Sequence, residues 1–283
     1  MSTSETENEK WFSSDVTANG IRFHYTRTDG NKSPLVLAHG FSDDGLCWTP
    51  VAQILESDFD VVMVDARGHG HSEAPEDGYN SVQMAHDLAG VIFALGLESP
   101  VILGHSMGAA TALNLAGLYP QLPRAILLED PPSWWKAATQ PVEPEKPANN
   151  DWQKNTRAWI EGLQNQSREE LIEKQKRATP SWSDLEIELW ADAHLRLSLN
   201  VVNGPNIRGL WDSSLMERIA CPTLLITANP DQGAIVTESD AQLLKNIIPH
   251  LKIAHIPGAG HSIHREQFEL FMCEVQAFLR GLE

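Results

Sequence analysis

Ser106, His261 and an aspartate, Asp130 or Asp231, are the residues whose types and spacing could together perform acyl transfer. Serine is a poor nucleophile at neutral pH. It needs a base to take its proton, a carboxylate to orient that base, and donors for the oxyanion that forms. Ser106 lies in Gly104-His105-Ser106-Met107-Gly108, after the apolar run Val101-Ile102-Leu103 and before a stretch rich in small residues, Ala109–Ala116. That order predicts a serine raised on a sharp turn between a buried strand and a helix, the arrangement of a nucleophile elbow. Glycine on both sides of the turn fits, because a side chain there would strike the neighbouring strand or helix.

The base candidate, His261, ends Ile256-Pro257-Gly258-Ala259-Gly260-His261 near the C-terminus. Oxyanion donors would be the backbone N–H groups of Phe41 and Met107; Phe41 follows the buried run Leu35-Val36-Leu37-Ala38 and a His39-Gly40 turn. With Val64-Asp65-Ala66-Arg67-Gly68-His69-Gly70-His71-Ser72 and Pro222-Thr223-Leu224-Leu225-Ile226-Thr227 added, the ordered motifs span nearly the whole chain. In these motifs the sequence resembles the α/β-hydrolases, whose chain order is nucleophile, acid, base. The resemblance implies a serine nucleophile at Ser106, a base at His261 and oxyanion donors at Phe41 and Met107. It implies a mostly parallel, doubly wound α/β sheet with an inserted helical cap.

The acid has two candidates. In most of the family it follows the strand matched here by Thr223–Thr227, which makes Asp231 the occupant. The stretch Ala228-Asn229-Pro230-Asp231-Gln232-Gly233-Ala234-Ile235-Val236 departs from the usual form, and one alignment puts Gly233 in the acid's place. A subset of the family, including the lindane dehalogenase and the zearalenone lactonases, carries the acid after the preceding strand. That strand is Ala125-Ile126-Leu127-Leu128, followed by Glu129-Asp130-Pro131-Pro132. Asp130 is preferred, with Asp231 as the alternative and Glu129 directed to the opposite face of the strand.

The elements expected to position these groups alternate along the chain. Apolar runs at 35–38, 60–65 and 100–103 are interleaved with helical stretches, as in a parallel sheet covered on both faces. A hairpin is expected at Asn19-Gly20, and a terminal helix over Glu266–Leu279. Between Pro131 and Met216 the strand-like runs stop. Capping boxes at Ser167-Arg168-Glu169-Glu170 and Ser183-Asp184-Leu185-Glu186 announce helices, and seven of the nine tryptophans lie here. The division expected is a hydrolase core of residues 1–130 and 217–283, with a cap of 131–216 over the site. Trp134 and Trp135, beside the acid, are expected to face substrate; most of the other tryptophans are expected to hold the cap together. His39 and His105 are expected to hydrogen-bond backbone around the site.

Composition narrows the partners. With 38 acidic and 21 basic residues the formal charge is −17, which repels nucleic-acid backbones and anionic membranes. Three cysteines, Cys47, Cys221 and Cys273, have neither disulfide-framework nor metal-ligand spacing. The first ten residues read as a disordered leader without signal-peptide features, so a cytoplasmic location is expected. No dinucleotide fingerprint is present, and the chemistry needs no cofactor or metal. The expected function is hydrolysis of a carboxylic ester or lactone, largely apolar, through an acyl-enzyme. C–C hydrolysis of a β-diketone-like substrate and a ligand receptor of the same fold are the alternatives. An elbow serine disfavours dehalogenase and epoxide-hydrolase chemistry, which places aspartate there. The oligomeric state is not legible.

Overall fold

Eight strands form one sheet in the computed structural model, which describes residues 11–28, 30–138, 151–203 and 213–282. They are β1 (Phe12–Ala18), β2 (Ile21–Arg27), β3 (Ser33–Ala38), β4 (Phe59–Val64), β5 (Val101–His105), β6 (Ala125–Glu129), β7 (Thr223–Thr227) and β8 (Lys252–His255). Their spatial order is β1-β2-β4-β3-β5-β6-β7-β8. Only β2 runs against its neighbours; from β4 to β8 every pairing is parallel. The expected hairpin joins β1 and β2, with Asn19 and Gly20 at φ 51° and 82°, both positive as its turn requires.

The helices are α1 (Thr49–Leu55), α2 (Ser81–Ala94), α3 (Met107–Leu118), α4 (Asp151–Gln164), α5 (Arg168–Ala178), α6 (Asp184–Arg196), α7 (Ser213–Glu217), α8 (Glu238–Ile247), α9 (Ile263–Glu266) and α10 (Phe268–Arg280). Strand alternation divides the core between two faces. Val36, Val62, Ile102, Ile126, Leu128 and Leu225 share a buried cluster with residues of α2, α3 and α8. Leu35, Val61, Leu103, Leu127, Leu224 and Ile226 share another with α1 and α10. The terminal helix expected over Glu266–Leu279 is two helices, α9 and α10, because Gln267 leaves helical geometry at φ −138°, ψ 55°.

Helices α4 to α7 all fall between β6 and β7. Both expected capping boxes form: Ser167 and Ser183 cap α5 and α6, with Glu170 and Glu186 reaching back to the cap backbone. Met216 of α7 joins the core cluster, and Gly117 on α3 lets the Leu215 backbone approach closely. Trp211, the proline-rich stretch at 141–147 and the leader lie outside the described residues. Among the described residues no helix is long and apolar enough to cross a membrane.

Candidate active site

The sheet's C-terminal edge collects the chemical groups. At the end of β5 the chain reverses into α3 through Ser106, held at φ 51°, ψ −111°. A non-glycine residue there stores on the order of 1–3 kcal/mol of strain. The turn is fastened by Ser106 N–H donating to the Glu129 carbonyl (2.9 Å) and Ala110 N–H donating to the Ser106 carbonyl (3.0 Å). Glycine is required on both sides: a Cβ on Gly104 would lie 2.5 Å from the Ala109 nitrogen, and one on Gly108 2.8 Å from the His39 carbonyl oxygen. Strand β3 and helix α3 therefore meet backbone to backbone under the serine.

Asp130, the residue after β6, also has a positive φ, 40°. Its carboxylate is wholly buried and meets three donors: Nδ1 of His261 at 2.6 Å from Oδ2, Ile235 N–H at 2.8 Å from Oδ2 and Val236 N–H at 2.9 Å from Oδ1. Asp231 is exposed in a short turn, Pro230–Gln232. The loop after β7 thus reaches Asp130 through backbone N–H groups and leaves its own carboxylate in water. In that arrangement Nδ1 of His261 donates and Nε2 is left with a lone pair.

Three contacts fix the segment that carries His261. His105 Nε2 donates to the His261 carbonyl at 3.0 Å. Glu129 accepts from the His264 backbone N–H and contacts His264 Nδ1, all at 2.9 Å. Arg265 meets Asp43 at 3.0 Å. Burial pushes the Glu129 carboxyl up to about 7. It also drives the imidazoles of His105 and His264 down to about 3, so both stay neutral. Trp48 lies over the His264 ring at 4.7 Å between centroids. Glu129 and Asp130 thus engage different histidines, and, as expected, His39 binds backbone: Nδ1 donates to the Gly40 carbonyl (2.7 Å) while Nε2 accepts from Ala66 N–H (3.0 Å).

Phe41 and Met107 come together, packed in one cluster with Ile160 of α4 and Val201. Met107 opens α3, so its N–H has no partner within the helix. The Phe41 carbonyl is turned to His69 Nε2 at 2.7 Å. Trp134 is half-buried, whereas Trp135 is fully buried. Against expectation, Trp135 shares the cluster of Val236, Ala241 and Leu244, and its indole N–H donates to the Asp240 carbonyl at 2.9 Å. The cause is the short helical turn Trp134–Ala138, which seats that ring on α8. Trp152 borders Phe41, with 6.3 Å between ring centroids.

A family model for the alpha/beta hydrolase fold matches residues 33–267. The chain belongs to this family. Among its relatives is the N-formylmaleamate deformylase of Pseudomonas putida, 27% identical over 274 residues, covering 94% of this chain and 95% of the relative. The crystal structure of the N-formylmaleamic acid deformylase from Pseudomonas putida S16 superposes with a TM-score of 0.74 at 27% identity, over 93% of this chain and 100% of that one. A thermophilic esterase from Thermogutta terrifontis gives 0.69 at 25% identity, over 96% and 99%. Within the alpha/beta hydrolase fold, then, this chain is similar to hydrolases along nearly its whole length. Sequence reasoning missed the Glu129–His264 and Asp43–Arg265 pairs. Two adjacent carboxylates ending an apolar strand were the available signal for the first; nothing local signals the second.

Proposed function

We propose that this protein is a serine hydrolase cleaving a carboxylic ester or lactone through an acyl-enzyme. The observation that carries the reading is the contact of His261 Nδ1 with a buried, doubly N–H-bonded Asp130 carboxylate, with Ser106 on a strained elbow at the same sheet edge. In this mechanism Ser106 Oγ attacks the carbonyl carbon while Nε2 of His261 takes its proton. Asp130 holds the imidazole in the Nδ1–H tautomer and stabilises the imidazolium. The N–H groups of Phe41 and Met107 receive the developing oxyanion, each worth about 3–4 kcal/mol in comparable sites. His261 then protonates the leaving alcohol, and a water deprotonated by the same base releases the acid.

Substrate enters as a small molecule with an apolar portion, since Phe41 and Ile160 pack in one apolar cluster with Met107 of the elbow and Trp152 borders Phe41. Trp134 is kept as a second contact. The insertion after β6, residues 131–216, is read as a cap, and a cytoplasmic location fits the three unpaired cysteines. The deformylase relative favours a second reading, in which the same groups cleave an acyl group from nitrogen. Hydrolysis of a C–C bond in a β-diketone needs the same groups and is the third substrate class to assay.

The test is a panel of p-nitrophenyl esters, lactones, N-acyl compounds and a vinylogous diketone, run beside fluorophosphonate labelling. Labelling of Ser106 with turnover of esters or lactones supports the proposal. Turnover confined to the N-acyl or diketone substrates replaces the substrate class. An unlabelled serine and no turnover point to a binding protein of the same fold.

A further inference from the structure

Three buried carboxylates crowd the segment that follows β3, and each is compensated by a different part of the molecule. Asp65 accepts backbone N–H groups from Gly45 and His71, both at 2.8 Å. Asp43 has Arg265, from the segment that carries His261. Asp44 is almost fully buried; one carboxylate oxygen accepts from Leu46 N–H at 3.1 Å. The other receives Nε and Nη2 of Arg196, at 3.0 and 2.5 Å. Arg196 is the last residue of α6, which belongs to the insertion. Ahead of the first turn of the same helix, Trp182 lies against the Arg265 guanidinium at 4.6 Å. Helix α6 is therefore seated at both ends on the junction where the Phe41 segment meets the His261 segment.

We infer that Arg196, with Trp182, is a positioning element for the oxyanion site: the inserted segment completes the hydrolase by fixing the backbone that carries the Phe41 N–H. Phe41 is three residues from Asp44, and its neighbour Gly40 accepts the Asp43 N–H at 3.2 Å, so the segment is one tight turn. Without Arg196 the Asp44 carboxylate is left uncompensated beside Asp65. A buried charge in that position must either draw in water or shift the turn. Either response moves the Phe41 N–H from the point where negative charge develops. A shift near 1 Å at such a donor lowers turnover about 10²-fold. Arg196 has no role in binding the ground state, so KM should stay near its wild-type value. The inference rests on the serine-hydrolase reading.

The experiment compares wild type, Arg196→Ala, Arg196→Lys and Trp182→Ala on p-nitrophenyl acetate, with Tm measured for each. Inhibition by an aryl trifluoromethyl ketone, whose hemiketal oxygen mimics the oxyanion, is measured in parallel. Arg196→Ala should lose about 10²-fold in kcat with KM little changed, and bind the ketone more weakly by a similar factor. Millimolar guanidinium should restore part of both. Arg196→Lys, which keeps the charge and therefore the fold, should fall between. If Arg196→Ala folds with wild-type kcat and ketone affinity, or if its kcat and KM worsen together without guanidinium rescue, the inference is overturned. Ser106→Ala separates the two claims: full activity in that variant removes the serine-hydrolase reading itself, whatever the Arg196 variants do.

Discussion

At the residue scale, the proposal of Asp130 as the acid rests on which carboxylate is desolvated and bonded to the imidazole. Asp130 is buried against His261 and two backbone N–H groups, while Asp231 faces water. Asp130→Asn should therefore lower kcat on p-nitrophenyl acetate about 10⁴-fold, because the wrong tautomer is favoured and the imidazolium loses its counter-charge. Asp231→Asn should leave kcat within about twofold of wild type, as surface substitutions usually do. Steady-state kinetics on the two variants checks this, and comparable losses in both would remove Asp130 from the mechanism. The elbow offers a second check. Ser106→Gly should lose ester hydrolysis yet raise Tm, because glycine adopts φ 51° without the strain a serine bears.

At the element scale, two tryptophans in the first part of the insertion have opposite duties. Trp135 holds the start of the insertion on α8, so Trp135→Ala should cost about 3–5 kcal/mol by denaturant titration and leave the ranking of ester chain lengths unchanged. Trp152 is 44% exposed and borders Phe41, so Trp152→Ala should change that ranking at nearly constant stability. Relative kcat/KM for acetyl, butyryl and octanoyl esters, set beside melting curves, distinguishes the two. The Glu129–His264 pair joins β6 to α9 and gives stability its own pH dependence. Burial raises the Glu129 carboxyl from 4.5 to about 7, so between these values the folded chain holds a proton that the unfolded chain releases. That contribution is complete below pH 4.5 and is lost as pH rises through 7, a change on the order of 3 kcal/mol. His105 and His264, driven from 6.5 to about 3, act oppositely and weaken the fold as pH falls below 6.5. Urea titrations of wild type and Glu129→Gln from pH 4.5 to 8 isolate the carboxyl, and the variant should lack the decline toward pH 7.

At the scale of the whole molecule, a formal charge of −17 opposes compaction by self-repulsion. Moving from about 10 mM to about 0.3 M sodium chloride shortens the screening length several-fold. Tm should rise over that range, and differential scanning calorimetry at constant pH would show it. A fall in Tm would mean that surface ion pairs such as Arg168–Asp192 contribute more than repulsion removes. The segment inserted after β6 and the core are joined by ion pairs to buried carboxylates, Arg196 on Asp44 and Lys136 on Asp240, as well as by apolar contact.

The sequence alone determined what depends on neighbours along the chain. Apolar runs bounded by turn residues placed the strands, the Asn19-Gly20 pair placed the hairpin, and serine–glutamate spacing placed the starts of α5 and α6, because pleat, turn and cap are all local. The elbow was legible for the same reason: a strained turn needs glycines at fixed offsets. Tertiary structure decided whatever depends on which distant groups share a buried volume. Asp130 and Asp231 each follow an apolar strand, and only the loop after β7, folding its Ile235 and Val236 N–H groups onto Asp130, separates them. Trp135 and Trp152 have the same side chain and both follow β6 in the chain; packing against α8 or beside Phe41 sorts them. Arg196 and Asp44 stand 152 residues apart, and Arg265 and Trp182 stand 83 apart. A charge enters a protein interior only with its partner, and which partner it meets is a property of the fold.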